Sequence, residues 1–339
     1  MVKVILIFLG LLIQAVVLVD IFKTIIYING AGFLSSTVSK GIWRLFYKIS
    51  GGNGERKILN LCGPIILLVF LFMWISFIWL GYSLIYISEP SSVISNTTGN
   101  SASLVGKIYY VGYMLTSLGN GDFRAGSGTW QIISNIMGLN SMIFISLGIS
   151  YLLPVLQAVI DKRTLAVHID KLGSTPAEII KNGYNGDGFE PLYQRFSNLE
   201  SLLIKHGERH LAYPILHYFH ANKKAHAISL SLAVLDETIS IQEIYKIDDS
   251  PKNYHWYILK GALDNFYERL DCSFIIAAQE PPPFDYKSQL SKEFANKVMA
   301  DPMLELGKIS DRRKKVLGYI QNDGWTWDDV IIPRKEKDK

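Results

Sequence analysis

Cysteine is almost missing from this 339-residue chain, which has only Cys62 and Cys272. They are isolated, one inside a long apolar run and the other far away in the polar half, so a disulfide framework and a cysteine-based zinc site are both excluded. Catalytic signatures are missing as well. There is no nucleophile elbow, phosphate-binding loop or zinc-hydrolase spacing, and the expectation is that the chain is not an enzyme. No GxGxxG opens a dinucleotide-binding regulatory domain, and neither an internal repeat nor a strand-like alternation is found. Lys and Arg are missing from 88–106, and all charge is missing from 130–160. No arginine series interrupts the apolar half, which excludes voltage sensing of the usual kind.

What is present is apolar. Hydrophobic residues make up 49% of the chain and its mean hydropathy is positive, more than an ordinary soluble protein carries. The long apolar runs lie almost entirely before about residue 160, so a membrane half and a globular half are expected. Three runs exceed the roughly 20 residues that a spanning helix needs: 2–28, 58–87 and 130–160. The apolar part of the first is longer than a signal-peptide core and no small-residue cleavage site follows, so it is expected to be retained. Asp20 and Lys23 stand near its end, where polar heads reach the interface.

Orientation follows from the basic residues. Lys40, Arg44, Lys48, Arg56 and Lys57 between the first two spans, opposed only by Glu55, mark a cytoplasmic loop, and Lys162 and Arg163 directly after the third span return the chain to the cytoplasm. The expected topology has the N-terminus outside, a polar turret over 88–106, and the C-terminal half in the cytoplasm. The pI near 8.8 fits basic inner loops facing anionic lipid of a bilayer and does not by itself point to nucleic acid.

Between the second and third spans, 104–115 reads LVGKIYYVGYML, apolar but too short to cross. It suits a re-entrant helix leading into Thr116, Ser117, Leu118, Gly119, Asn120, Gly121 and Asp122. Non-helical backbone at membrane depth must be buried in protein or line water, and carbonyls stripped of donors can replace the hydration shell of a cation. Gly119 and Gly121 can adopt backbone angles closed to other residues, so successive carbonyls can aim one way. The same string also makes a good turn, since Gly and Asn tolerate positive φ and Asp caps its own backbone.

The run from Ser117 to Asp122 resembles the potassium-channel filter signature Thr-Val-Gly-Tyr-Gly-Asp, and short helix, filter and long inner helix follow the order of the potassium-channel pore. The chain is also similar to bacterial ion-channel proteins with an Asp-x-Phe-x-Thr pattern, here Asp20, Phe22 and Thr24, followed by Gly32, Leu34, Ser35, Trp43, Arg44, Gly63 and Pro64. The resemblance implies a homotetramer with K+ as permeant ion and no cofactor. Thr116 to Gly121 would supply the ion-binding oxygens, and Asp122 would support the filter from behind. Asn120 stands where the signature has an aromatic residue and Ser117 where it has threonine, which leaves Na+ permeation open.

The expected fold is an α-helical membrane protein with three transmembrane helices and a re-entrant pore helix. Residues 1–57 form the first span and basic loop. Residues 58–163 form the pore domain, with outer helix 58–87, pore helix 104–115, filter 116–122 and inner helix 130–160. Residues 164–339 form a mainly helical cytosolic domain. Gly138, Gly148 and Pro154 either bend the inner helix as a gating hinge or let helices pack closely. Thr175-Pro176 is a helix start, and helices are expected over 190–205, 214–221, 225–241, 254–278, 290–300 and 304–320. The tail 333–339 is expected to be solvated. His206 and His210, and His217 and His220, form helix-spaced pairs that read as packing histidines, with a metal site or pH sensor as alternatives. Three functions stay open: a potassium channel gated by the cytosolic domain and an unknown ligand, a non-selective Na+/K+ channel, and a non-conducting receptor or scaffold. The bacterial inner (plasma) membrane is the expected location.

Overall fold

The computed structural model describes residues 1–28, 30–248, 250–271, 276–284, 286, 290 and 302–334. Almost every element is helical, and three helices are long and apolar enough to cross a membrane: Val2–Ile26, Lys57–Ile87 and Gly128–Asp170. The chain divides into two compact units, 1–39 with 65–156, and 40–64 with 157–339.

In the first unit α1 (Val2–Ile21) runs into a single wider π turn, Phe22–Ile26. The helix α3 (Cys62–Ile87) packs against α1 where both lack a side chain: a Cβ on Gly10 would stand 2.6 Å from the carbonyl oxygen of Gly81. In a bilayer, where burial of apolar surface drives nothing, such close approach is the main source of helix association. The Gln14 amide donates to the Ile78 carbonyl (2.8 Å) across the same contact. Large apolar side chains face outward on these helices, among them Leu11 and Phe72. That distribution suits hydrocarbon as solvent.

Two elements depart from the expectations. The helix α2 (Phe33–Ile49) occupies much of what reads as a basic loop, because its apolar and polar residues segregate to opposite faces, a signal that the count of charges hides. A short antiparallel ribbon, β1 (Val93–Ser95) with β2 (Phe123–Ala125), lies where no strand was expected; Val93 faces Ala125 and Ser95 faces Phe123. Three residues are too few to show an alternating pattern in sequence. Between the strands lies α4 (Leu104–Leu115), started by Ser103, whose hydroxyl accepts from the Gly106 N–H (3.2 Å). The third span, α5 (Gly128–Asp170), continues well past residue 160 and contains Pro154 without interruption.

The second unit is built from α6 (Pro176–Gly183), α7 (Glu190–Ala212), α8 (Ile228–Tyr245), α9 (Tyr254–Asp271), α10 (Pro302–Asn322) and α11 (Asp328–Ile331). Thr175 caps α6, accepting from the Glu178 N–H (3.2 Å), and Pro176 occupies the first turn, the start the sequence predicts. Pro214 ends α7, and 214–218 forms a 3-10 turn where a helix was expected, since Pro lacks a donor and clashes with the preceding turn. Nearly every residue of α8 is buried, and its Glu237 forms a buried pair with Arg313 of α10 (2.7 Å). Residues 50–57 also belong here: the Gly54 N–H donates to the Gly324 carbonyl (2.8 Å), and Lys224 bridges Glu55 (3.2 Å) and Asp329 (2.8 Å). The helix expected over 290–300, Cys272 and the tail beyond 334 lie outside the described residues.

Candidate functional site

The segment after α4 is shaped first by how that helix ends. The Leu118 N–H donates to the Tyr113 carbonyl (2.9 Å) and the Ser117 N–H to the Met114 carbonyl (3.3 Å), the paired bonds of a Schellman motif. Such a motif needs a left-handed residue at its pivot, and Ser117 takes that conformation with φ +57° although it is not glycine. Gly119 (φ +58°) and Gly121 (φ +79°) follow in the same region, so left-handed residues recur at every second position. Leu118 is exposed. Among the described residues, no donor bonds to the carbonyls of Thr116, Ser117, Leu118, Gly119 or Asn120.

The far end of the segment is tied down. Asn96, beside β1, donates its backbone N–H to the Asp122 carbonyl (2.9 Å) and its side-chain amide to the Gly121 carbonyl (2.6 Å). Tyr109 of α4 donates its hydroxyl to the Asp122 carboxylate (3.0 Å) and accepts from the Asn120 amide. One phenol thus holds both residues that flank Gly121. Tyr113 donates to the Phe123 carbonyl (2.5 Å), and the Ser141 hydroxyl of α5 donates to the Leu115 carbonyl at the end of α4. Sequence reasoning missed Tyr109, Ser141 and Asn96. The spacing of Tyr109 and Tyr113 on one helix face was a usable signal, but nothing in sequence singles out Asn96 or Ser141.

The other motif residues gather elsewhere in the first unit. Asp20 is buried and accepts four bonds: from the backbone N–H groups of Leu34 (2.8 Å) and Ser35 (3.3 Å), the Ser35 hydroxyl (2.6 Å) and the Trp74 indole (2.9 Å). Its carboxylate therefore caps the start of α2, satisfying orphan donors at a buried position. Thr24 accepts from the Gly32 N–H (2.9 Å), and a Cβ on Gly32 would stand 2.0 Å from the Asp20 carboxylate. Phe22 takes no part and is half exposed. In the second unit Trp43 packs on Tyr47, Tyr218 and His220, and Gly63 lies under the Phe219 ring.

Along α5, among the described residues, nothing beyond the helix's own turns lies within 4 Å of where a Cβ on Gly138 would be, and at Gly148 Leu71 stands at ordinary contact distance. Close packing inside the chain therefore does not account for Gly138.

His206, His210 and His217 are buried in a row, with ring centroids 6.0 and 5.9 Å apart, and His206 stacks on Phe266. Lys162 lies beside them, donating to the Leu216 (2.8 Å) and Phe219 (2.9 Å) carbonyls, and an ammonium there repels a cation. Among the described residues no group of three His, Cys, Asp or Glu is placed so that it could hold a metal ion. His220 stands apart, bonded to the Gly54 carbonyl (2.7 Å) and stacked on Trp325.

Burial, with His210 and Lys162 adding repulsion, holds His206 and His217 well below the ordinary histidine value; burial and Lys162 bring His210 to about 3. Arg209 and Asp323 are the other charged neighbours of this row. Unfolded, the three titrate near 6.5, so below that pH the unfolded chain binds more protons and stability falls as pH falls. Each contributes up to about 1.4 kcal/mol per pH unit. The melting temperature of the detergent-solubilised protein should therefore drop steeply between about pH 6.5 and 5.5, and His206→Leu should remove about a third of that slope. A flat profile over this interval in the unaltered protein would contradict the neutral buried row.

Three apolar helices long enough to span a bilayer, joined to a second, helical unit, define a multi-pass helical membrane protein. The chain is 30% identical over 322 residues, 94% of its own length and 94% of the other, to the uncharacterized membrane protein YdjJ of Bacillus subtilis (strain 168). It belongs to the same family of membrane proteins. No protein-family model matches the chain, and no solved structure matches it.

Proposed function

We propose that the protein is a cation channel of the potassium-channel type, conducting through the carbonyls of Thr116 to Gly121 on the axis of a homotetramer. The observation that carries this reading is the row of five carbonyls without donors, in a segment with left-handed backbone at Ser117, Gly119 and Gly121. Alternating the sign of φ turns successive peptide planes, so carbonyls that would point to opposite sides of a strand can share one side. A twelve-residue helix between two spans supports a re-entrant pore helix, and its length rules out a crossing of its own. One such loop per chain supplies a single wall of a pore, and a closed ring of four completes it.

The same reading places this protein in the bacterial inner membrane, N-terminus outside and second unit in the cytoplasm, on the basic residues of 40–57. Neither catalytic activity nor a cofactor is part of it. Gly138 and Pro154 supply bending points of an inner gate in α5.

Selectivity for K+ over Na+ is supported by the Tyr109 hydroxyl, which restrains Asn120 and Asp122 and does the work of the missing aromatic side chain. Ion flux into liposomes under K+ and then Na+ gradients tests the proposal: K+ flux well above Na+ flux is expected, and equal fluxes would favour the non-selective channel. Tyr109→Phe removes one hydroxyl and should raise relative Na+ permeability about tenfold, the equivalent of about 1.4 kcal/mol of lost restraint. An unchanged ratio in this variant would discard the restraint.

A further inference from the structure

We infer that the outward face of α2 is a docking surface for anionic phospholipid, with Lys40, Arg44 and Lys48 on the headgroup phosphates and Val38, Leu45 and Ile49 among the acyl chains beneath them. Lys40, Arg44 and Lys48 recur at every fourth position, so they share one strip of the helix, and all three are exposed. Val38, Leu45 and Ile49 make the strip alongside; Leu45 and Ile49 are more than half exposed and Val38 is half-buried. Ser35, Ser39 and Trp43, again four apart, are buried on the side turned to the protein. One side of α2 is therefore covered, while a basic strip and an apolar strip lie uncovered next to each other. At the boundary between headgroups and hydrocarbon each of those strips meets the surroundings that suit it.

Two further observations name the occupant. The first is continuity with a spanning helix. Asp20, in the last turn of α1, accepts from the Leu34 and Ser35 amides, so α2 begins beside the span it follows and no length of chain carries it away. Phe33, its first residue, is 79% exposed, an aromatic placed as interfacial helices place them. The second is charge. Glu55 is the one acid in the sequence between Lys23 and Cys62, and it is taken up by Lys224 (3.2 Å). Among the described residues no carboxylate pairs with Lys40, Arg44 or Lys48, and an anionic headgroup supplies the counter-charge that the fold does not. Lipid contact of this kind is independent of ion conduction, and either can fail without the other.

Gly41 lies on the same exposed face, and among the described residues nothing beyond its own helix stands within 4 Å of where a Cβ would be, so a probe fits there. The full-length protein carries a fluorophore on Gly41→Cys, with Cys272→Ser leaving only the buried Cys62 as a second thiol. It is reconstituted in vesicles of phosphatidylcholine with a minority of phosphatidylglycerol, and quenching is compared with bromine on the acyl chains of one lipid or of the other. Per brominated lipid, phosphatidylglycerol should quench about fivefold more strongly than phosphatidylcholine, and the two should quench equally once Lys40, Arg44 and Lys48 are all replaced with glutamine. The exposed positions of the three predict an unchanged melting temperature and oligomer size in that variant. Excess glycerol 3-phosphate should leave the preference intact. A fluorophore quenched by neither lipid would place α2 off the bilayer, and equal quenching with the three cations present would show that they recruit no anionic lipid. A preference that survives the glutamines would have another source, one abolished by glycerol 3-phosphate would belong to a soluble phosphate, and a smaller oligomer on neutralisation would assign the strip to another copy of the chain. Any of these results overturns the proposal.

Discussion

Replacing Gly119 with valine should reduce cation flux in reconstituted liposomes to background while leaving the protein folded. At φ +58° an L side chain clashes with its own backbone at about 1–2 kcal/mol, more for a β-branched residue, and the segment must leave its present path to relieve it. Among the described residues, none beyond its two chain neighbours lies within 4 Å of the position its Cβ would take, so the strain stays local and the rest of the unit is not pushed apart. Four such side chains around one axis would close a pore that a single subunit only lines. Flux and the melting temperature are measured together on the same preparation. Undiminished flux in a folded variant would remove these carbonyls from the conduction path, and unaltered protein silent under every gradient would favour the receptor or scaffold.

Asp20→Ala should be strongly destabilising, by about 3 kcal/mol, because it orphans several buried donors at once. The carboxylate satisfies the Leu34 and Ser35 amides, the Ser35 hydroxyl and the Trp74 indole at once. Its loss leaves several buried donors unpaired, each unmet donor costing about 1–3 kcal/mol before relaxation. Asp20→Asn keeps one acceptor oxygen and turns a donor toward groups that are donors themselves, so a smaller but clear loss is expected. Gly32→Ala should resemble the alanine change, since its methyl would collide with the same carboxylate. The melting temperature in detergent decides: a value for Asp20→Ala equal to that of the unaltered protein would show that the cap contributes nothing.

Together these two sites show how a membrane protein distributes its polar groups. Asp20 is completely satisfied within its chain, and its function is to hold α1, α2 and α3 at one point. Among the described residues no donor meets the carbonyls of 116–120, which are therefore chemically able to meet a cation.

How legible this was differs from element to element. The three spans and α4 can be read directly, because length and apolarity in a bilayer admit few alternatives. The start of α6 at Thr175 was equally plain, since a cap and a proline act through local backbone geometry. The β1–β2 ribbon and the α2 helix were not, the first for want of length and the second because its amphipathic face was masked by a run of basic residues. The motif of Asp20, Thr24, Gly32 and Ser35 was visible as a pattern without a reason, which only the capping geometry supplies.

The sequence alone determined that this protein is helical and crosses a membrane, and it pointed to Gly119 and Gly121 as residues whose backbone freedom is put to use. Those are properties of composition and of single residues. Tertiary structure decided what depends on residues distant in the chain. It set Tyr109 against Asn120 and Asp122, brought Asn96 to the end of the segment, and buried three histidines beside a lysine. Hydrogen bonds and ion pairs act over a few ångströms and have no sequence period, so no local pattern announces them before the chain is folded.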